Sequence, residues 1–347
     1  MEKGYNYYDT AFPYHNGKSE IAFKEAVSTR YPRDSYILAD KLPVFNITKE
    51  EELEPIFSLQ LERCDVDYFD YYLLHNVSPS GEKGFIDVDS YGFLKQKKDE
   101  GKIKKLGFSS HGNAQYIEDY IKKYPDMDFI QLQINYLDWE SNTIQSKKCY
   151  EVAKKHGLEV IVMEPLKGGF LTKIPEEAEE RIKEFDANLT PAQLALRFVA
   201  SLDNVIMILS GASSYKQIEE NIDTFDYLEP LSPEEYKLVD EVRDIINSKI
   251  TVSCTQCNYC INECPVNINI PHLFDLYNGE EMLDLPITTY QVTYLDYADD
   301  ETKGQIADCI ECGKCSAKCP QHIDIPAVLK DVANTFKDAK HYPLDIS

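Results

Sequence analysis

Basic residues are scarce in this chain, which has 36 Lys and Arg against 60 Asp and Glu and a formal net charge of −24. A surface this acidic repels phosphate groups, which argues against nucleic acid and anionic membranes as partners. The sequence also lacks any run of 18 apolar residues, so we expect no membrane span. Its first residues lack the features of a signal peptide, and we expect a cytoplasmic protein.

Two nucleotide-binding signatures are absent as well. No Gly-rich dinucleotide fingerprint follows the first predicted strand, which weakens the case for an open doubly wound sheet. Gly168 and Gly169 follow Lys167 without the spacing of a phosphate-binding loop. What is present is a chain of 347 residues, long enough for one barrel-sized domain and a smaller one.

Strand and helix patterns alternate seven times over residues 1–247. The predicted strands are Asn6–Asp9, Ser35–Lys41, Tyr68–His75, Lys104–Ser110, Phe129–Asn135, Glu159–Glu164 and Val205–Ser210. The predicted helices are Ser19–Thr29, Glu50–Cys64, Ser90–Glu100, Ala114–Lys123, Ile144–His156, Pro191–Leu202 and Lys216–Thr224, followed by Pro233–Asn247. The strands are continuous apolar or aromatic runs, as expected for parallel strands covered on both faces.

This alternation predicts an α/β fold, a (β/α)8-type TIM barrel that lacks its first β/α unit, in a domain spanning residues 1–247. We expect truncation or a late start codon to account for the missing unit. Each predicted strand delivers a polar residue at the same end, where the active-site face of a barrel lies. These residues are Asp9, Lys41, His75, Ser109 with Ser110, Gln131 with Asn135, Glu164 and Ser210.

In this order the residues resemble the aldo/keto reductase family over roughly residues 4–225. The resemblance rests on Asp9-Thr-Ala and Tyr14, Ala-Asp-Lys41, Leu-Leu-His75, Gly-Phe-Ser-Ser110, and Ile-Leu-Ser-Gly-Ala-Ser-Ser with Asn221. It implies that Asp9, Tyr14, Lys41 and His75 form a catalytic tetrad for the reduction of an aldehyde or ketone by NAD(P)H. Chemically, Tyr14 would donate the proton, Lys41 would lower its pKa and be held by Asp9, and His75 would bind the carbonyl.

The resemblance also implies a nicotinamide site at the same end of the barrel. The implied cofactor-binding residues are Ser109, Ser110, Gln131, Glu164, Pro165, Gly168, Gly211, Ser213, Gln217 and Asn221. Gly211 and Gln217 stand where many relatives place cations against the 2′-phosphate of NADP, so both NADPH and NADH stay open. Glu164 stands where many relatives stack a Tyr on the nicotinamide.

Ten cysteines are present, and eight of them form two arrays in the last hundred residues. The arrays are Cys254, Cys257, Cys260 and Cys264-Pro265, then Cys309, Cys312, Cys315 and Cys319-Pro320. Both match C-x2-C-x2-C-x3-C-P, the bacterial ferredoxin run, and predict two 4Fe-4S clusters. Because the fourth Cys crosses over in two-cluster ferredoxins, we pair Cys319 with the first array and Cys264 with the second. Zinc is the alternative.

The arrays are an internal repeat, and a helix is predicted after each of Pro271 and Pro326. Residues 250–335 resemble an α-helical dicluster ferredoxin module, within a second domain of residues 248–347. The preferred function is carbonyl reduction of a small carbonyl substrate, with clusters of electron-transfer, structural or sensing role. The alternative is an iron–sulfur electron-transfer protein whose barrel is a docking scaffold with weak or no nicotinamide activity, and it requires a redox partner protein. Substrate, reaction direction and oligomeric state stay open.

Overall fold

The computed structural model describes residues 1, 3–44, 47–77, 88–142, 144–252, 254, 258–282, 288–319 and 321–340. In this part of the chain, seven strands form one parallel sheet whose spatial order follows the sequence, so β1 and β7 are its two edges. The strands are β1 (Tyr7–Asp9), β2 (Ile37–Leu42), β3 (Phe69–Leu74), β4 (Ile103–Ser110), β5 (Phe129–Gln133), β6 (Glu159–Met163) and β7 (Val205–Ile208). All seven predicted strands are therefore present, with ends that differ by one or two residues.

Thirteen α-helices lie within the described residues, and they include every helix predicted from the sequence. They are α1 (Ser19–Phe23), α2 (Leu53–Cys64), α3 (Ser90–Asp99), α4 (Ala114–Lys123), α5 (Ser146–Lys155), α6 (Glu176–Phe185), α7 (Pro191–Ala200), α8 (Tyr215–Asp226), α9 (Pro233–Asn247), α10 (Ile270–Glu281), α11 (Thr289–Ala298), α12 (Lys314–Lys318) and α13 (Ile325–Thr335). Helix α1 is shorter than predicted because it continues as a π-helical turn over Lys24–Ser28, and α2 begins later than predicted because a 3-10 turn, Glu50–Glu52, precedes it. Helix α6 is absent from the prediction because only Ala178 and Ile182 of its glutamate-rich sequence are buried.

The inner face of the sheet carries the core that fixes the strand ends. Leu73, Phe129 and Ile161 are each at most 1% exposed and come from β3, β5 and β6. Tyr71 packs edge-on against Phe129 with ring centroids 5.1 Å apart, and Tyr7 of β1 packs against Tyr71 at 5.5 Å. Because aromatic rings bury large apolar areas, this row of contacts ties β1, β3 and β5 together across the inner face of the sheet.

Contacts divide the chain into two compact units. The first takes residues 1–165 and 196–230 and contains the whole sheet. The second takes residues 166–195 and, within the described part of the chain, 231–340. In it α9 packs on α6, where Arg181 forms an ion pair with Glu241 at 2.6 Å, and α10 packs on α11 and α13. None of the helices in the described ranges combines the length and hydropathy needed to cross a bilayer.

Gly107 permits the close approach of β4 and β5. A Cβ atom at this position would lie 2.5 Å from the carbonyl oxygen of Phe129 and 2.7 Å from its ring. We therefore expect Gly107→Ala to lower the free energy of unfolding by about 1–3 kcal/mol, since the two strands must separate to admit the methyl group. Urea unfolding followed by the fluorescence of Trp139, the single tryptophan, measures this in the first unit.

The matched control is Gly211→Ala, because no described atom lies within 4 Å of a Cβ built there. This substitution should change the free energy of unfolding by less than about 0.5 kcal/mol. Equal losses in the two variants would contradict the packing argument.

Candidate functional site

Lys41 lies at the centre of the predicted tetrad. Strand β1 ends at Asp9 and its neighbour β2 carries Lys41, whose side chain is 1% exposed. The Lys41 ammonium donates to Asp9 Oδ1 and, at 2.7 Å, to the carbonyl oxygen of Thr10. The same ammonium lies 4.7 Å from the centroid of the Tyr14 ring. A buried cation is thus held by one carboxylate, one backbone carbonyl and the face of a phenol.

Tyr14 and His75 complete the group. Tyr14 lies in the turn after β1, closed by its backbone N–H donating to the Ala11 carbonyl at 3.0 Å, and it keeps 37% of its surface exposed. His75 follows β3 directly, and its ring meets the Tyr14 ring edge-on with centroids 5.6 Å apart. The structure therefore brings Asp9, Tyr14, Lys41 and His75 together at the carboxyl end of the first three strands.

Burial and charge set the protonation states of these four groups. Burial lowers the pKa of Lys41, but Asp9 and Tyr14 outweigh it, so the pKa is raised and the amine stays charged. Burial raises the pKa of Asp9 against the lowering effect of Lys41. Burial, then the charge of Lys41, then His111, bring the pKa of His75 well below its usual range, so its imidazole is neutral.

The pKa of Tyr14 is raised, although the sequence argument expects Lys41 to lower it. Lys41 does lower this pKa, by its charge and by a hydrogen bond, but burial of the hydroxyl has the larger effect in the opposite direction. Tyr14 therefore keeps its proton at neutral pH, in contact with a permanent cation.

Ser109 and Ser110 end β4, and Ser109 is paired in the ladder with Gln131, which lies in the middle of β5. The Ser110 hydroxyl donates to the Val77 carbonyl at 2.6 Å and accepts from the Gly112 N–H at 2.9 Å, so it supports the turn after β4. Gln131 is 2% exposed, and its Oε1 has no hydrogen-bond partner among the described residues. A buried amide oxygen without a partner requires a donor, which a ligand at this place would supply.

The remaining predicted cofactor residues follow β6 and β7. Glu164 directly follows β6 with a φ of 53°, Pro165 comes next, and Gly168 has a φ of 62° in the 3-10 segment Lys167–Thr172 of the second unit. After β7, Asn221 of α8 donates to the Ser210 hydroxyl at 2.8 Å.

The loop that leads into α8 is organised by its own side chains. The Ser213 N–H donates to Gln217 Oε1 at 2.8 Å, and both residues are exposed, as is Gly211. The N-terminal turn of α8 also carries Lys216, which is 83% exposed and lies 3.7 Å from Glu220. The region that the sequence analysis compares with the 2′-phosphate site of relatives is thus exposed, with the weakly paired Lys216 beside it.

Seven of the eight predicted cluster ligands line two cavities of the second unit, and Cys257 lies outside the described residues. One cavity, of about 330 Å³ including its open side, is lined by Cys254, Cys260 and Cys319. The other, of about 320 Å³, is lined by Cys264, Cys309, Cys312 and Cys315. Each cavity therefore combines cysteines from both arrays. In all the described ranges, including these two cavities, no three His, Cys, Asp or Glu side chains lie close enough together to bind a single metal ion.

The sequence argument misses the buried polar groups behind Lys41, namely Glu20, Asp40 and Gln60. All three side chains are 0% exposed, and Gln60 Nε2 donates both to Glu20 Oε1 and to the Lys41 carbonyl, each at 3.0 Å. The available signal is an acidic residue inside the apolar strand Ile37–Leu42. Cys64 and Cys149, the two cysteines outside the arrays, are buried, where a thiol packs as a small apolar side chain.

Comparison with known proteins defines the class to which this fold and site belong. Residues 1–244 match the model of the aldo/keto reductase family, and residues 253–323 match that of the 4Fe-4S dicluster domain. The chain belongs to the aldo/keto reductase family, is an oxidoreductase, and carries a 4Fe-4S dicluster domain.

Three relatives illustrate the similarity. An aldo-keto reductase of Mycolicibacterium vanbaalenii is 29% identical over 233 residues, which are 65% of this chain and 75% of that protein. The NADH-specific methylglyoxal reductase of Escherichia coli is 26% identical over 265 residues, which are 63% of this chain and 78% of that protein. The holo form of an aldo-keto reductase from Bacillus halodurans has a TM-score of 0.57 and 25% identity, over 70% of this chain and 83% of that one.

The depressed pKa of His75 predicts a dependence of stability on pH. The unfolded chain takes up a proton on this residue below about pH 6.5, whereas the folded protein does so only at lower pH. Stability is therefore lost as the pH falls below about 6.5, by at most ~1.4 kcal/mol per pH unit. We expect His75→Gln to lose correspondingly less stability than the unchanged protein between pH 7 and pH 5.5 in urea unfolding read from Trp139.

His15→Gln, in the exposed turn after Tyr14, is the control and should keep the pH dependence of the unchanged protein. A His75→Gln variant with that same pH dependence would show that His75 is not held neutral in the folded state.

Proposed function

We propose that this chain reduces a small aldehyde or ketone with NAD(P)H, and that Tyr14 is the acid that protonates the carbonyl oxygen. The observation that carries the proposal is the contact of one buried ammonium, Lys41, with both the Asp9 carboxylate and the Tyr14 phenol. Reduction of a carbonyl adds a hydride to carbon and a proton to oxygen, giving an alcohol. The bound nicotinamide supplies the hydride, and the residues of the chain must supply the proton.

Tyr14 is suited to the proton transfer because its phenol stays protonated until negative charge develops on the substrate oxygen. Its raised pKa keeps the proton in place at neutral pH, and its 37% exposure leaves it accessible from the mouth of the site. Once Tyr14 has donated the proton, Lys41 stabilises the phenolate that remains. General acids placed in this way accelerate reactions by about 10²–10⁴-fold.

His75 and Asp9 have supporting roles in this proposal. A neutral imidazole can donate one hydrogen bond to the carbonyl oxygen without placing a second cation beside Lys41. Asp9 holds the ammonium against the phenol and balances its charge. The four groups thus orient the substrate oxygen and deliver one proton to it.

Gln131 and Ser109 would hold the carboxamide of the nicotinamide. The buried Gln131 Oε1 lacks a donor among the described residues, which an amide NH2 would provide, and Ser109 lies beside it in the ladder. This orphaned oxygen is the observation that makes the residues present fit the cofactor.

NADH is the first reductant to test. Gly211 in the exposed loop before α8 and Gln217 in the first turn of α8 carry no charge, so neither position offers a cation to a 2′-phosphate, and Lys216 beside them faces Glu220 at 3.7 Å. The Escherichia coli relative is named for NADH and methylglyoxal, which makes a small 2-oxoaldehyde the first substrate to assay.

The tail would hold two 4Fe-4S clusters in a mostly α-helical dicluster module, one in each cysteine-lined cavity. In support, each cavity is lined by cysteines from both arrays, as the crossing of the fourth Cys requires. The clusters accept and donate single electrons, whereas a nicotinamide passes two electrons as hydride. We therefore assign them an electron-transfer, structural or sensing role that is separate from the hydride step.

The second candidate function is electron transfer with the barrel as a docking scaffold. The observation in its favour is the exposure of Cys312, which places one end of a cavity at the surface, where a redox partner could reach a cluster. If the unchanged protein holds both clusters but does not reduce carbonyl compounds, this second function is favoured.

Tyr14→Phe tests the proposed acid. In this variant we expect the turnover of methylglyoxal to fall by roughly 10²-fold or more, with a smaller change in KM. The measurement is the decrease in NADH absorbance under anaerobic conditions. Tyr227→Phe, at a tyrosine that is 86% exposed, is the matched control and should keep full activity. Equal turnover in Tyr14→Phe and in the unchanged protein would remove Tyr14 from the mechanism.

Cysteine substitutions test the cluster assignment and the crossing of ligands. Anaerobic analysis should give about eight iron and eight sulfide per chain, falling to about four in Cys315→Ala and remaining at about eight in Cys149→Ala. Cys319→Ala and Cys260→Ala, from different arrays, should leave the same remaining cluster by electron paramagnetic resonance. Zinc in place of iron would overturn the assignment, and different remaining spectra in these two variants would overturn the crossing.

A further inference from the structure

The backbone of Lys41 lies where the β1 ladder ends. Asp9, the last residue of β1, is paired with Ala39, and the Ala39 carbonyl accepts the last bond on that side, from the Thr10 N–H at 3.0 Å. Lys41 is two residues further along β2, so its N–H and C=O point to the side of β2 on which β1 lies. Strand β1 has already ended at this level and offers them no partner. Buried backbone groups of this kind need other partners.

Two buried side chains supply those partners. Asp40 Oδ1 accepts from the Lys41 N–H at 2.8 Å, and Gln60 Nε2 donates to the Lys41 carbonyl at 3.0 Å. The Tyr72 hydroxyl donates to Gln60 Oε1 at 2.5 Å, which fixes the orientation of the amide. The position of the Lys41 backbone therefore depends directly on Asp40 and Gln60.

Glu20 of α1 joins this group as a second buried carboxyl. It accepts from Gln60 Nε2 at 3.0 Å and from Arg63 Nη1 at 3.3 Å, and it also shares a hydrogen bond with the Asp40 side chain. Neither carboxyl is exposed to solvent. Two carboxylates in direct contact cannot both stay charged in such surroundings, because one proton between them removes the repulsion.

The balance of charges identifies which carboxyl is neutral. The groups that face this region are Asp9, Tyr14, Glu20, Asp40, Lys41, Arg63, Cys64 and Tyr72. Only Lys41 and Arg63 among them are cations, Lys41 is paired with Asp9, and Arg63 is paired with Glu20. A charged Asp40 would be a third carboxylate with no cation of its own, and burying such an unpaired charge is strongly unfavourable.

Electrostatics support the same assignment. Burial, and next the carboxylate of Glu20, raise the pKa of Asp40 well above its usual range, against weaker lowering by the Lys41 backbone and charge. The Cys64 thiol lies 3.8 Å from Asp40 Oδ2, and burial raises its pKa too, so it stays neutral.

We propose that Asp40 and Glu20 share one proton as a carboxylic acid–carboxylate pair, with Asp40 as the acid, and that this pair positions Lys41. The part that concerns catalysis rests on the proposed function, whereas the shared proton does not. Asp40 is a positioning residue, because it acts on the substrate only through Lys41.

Infrared difference spectroscopy tests the shared proton without any activity. The spectrum of the unchanged protein minus that of Asp40→Asn should contain the carbonyl stretch of one protonated carboxylic acid at neutral pH. The same stretch should shift in frequency in Glu20→Gln, because Asp40 stays buried and protonated but then donates its proton to an amide oxygen rather than to a carboxylate. A difference spectrum with carboxylate bands alone would overturn the proposal, even if carbonyl reduction is never observed.

The activity arm separates positioning from simple loss of structure. An amide reproduces both hydrogen bonds of a neutral acid, so Asp40→Asn should keep turnover within about threefold, whereas Asp40→Ala should lose roughly 10–100-fold. Equal losses in the two variants would overturn the positioning role.

Asp70→Asn is the matched control for the substitution itself. Asp70 is a buried carboxylate of β3 that also accepts from a backbone N–H, that of Leu38 at 3.0 Å, but it faces two cations, Arg33 and Lys104. Its replacement should lower the free energy of unfolding and leave no protonated-acid band in the difference spectrum. Such a band from Asp70 would show that a buried carboxyl paired with two cations is also protonated. The band of Asp40 would then not indicate a proton shared with Glu20, and the proposal would be overturned.

Discussion

The site at the carboxyl end of the sheet depends on one ion pair, between the Lys41 ammonium and the Asp9 carboxylate. A lysine that is 1% exposed is stable only because it keeps its charge compensated, so the two strands that carry the pair must end in register. That requirement also explains the surrounding polar groups. With β1 ending at Asp9, the backbone at Lys41 loses its ladder partner, and Asp40 and Gln60 replace it. The residues that satisfy the backbone of Lys41 where β1 ends therefore also help to hold its ammonium in place at the site.

In the second unit, the cysteines that line each cavity come from two places in the sequence. Cys264 belongs to the first array and Cys319 to the second, yet each lines the cavity of the other array. Ile270, 1% exposed at the start of α10, lines both cavities, and Ile325 starts α13 at the equivalent place after the second array. The two halves of the repeat must fold together, because neither array encloses a complete site by itself.

Sequence reasoning reached the strand ends because periodicity is local, and Asp9, Lys41 and His75 lie where apolar runs stop, whereas Tyr14 and the grouping of the four as a tetrad came from the family resemblance. It reached the cysteines because spacing in the arrays is itself the signal. It could not reach the Asp40–Glu20 contact, since nothing local indicates that α1 packs its first acidic residue onto β2. It also expected Lys41 to dominate the pKa of Tyr14, whereas burial, a property of the folded molecule, has the larger effect. The grouping of residues 166–195 with the tail is likewise a result of long-range contacts.

In the proposed function, protons and electrons would be handled by different residues of this chain, and the surroundings of those residues differ accordingly. Around Lys41 every ionisable group is paired or kept neutral, which suits a reaction that moves one proton and one hydride without leaving a net charge behind. The cavity lined by Cys312 opens at the surface, and single-electron exchange between proteins requires such an exposed edge. A cluster held there needs no contact with the carbonyl carbon, because its electrons can leave through a partner rather than through the substrate. The mismatch between two-electron and one-electron chemistry is therefore an argument for two separate activities on one chain, not against either of them.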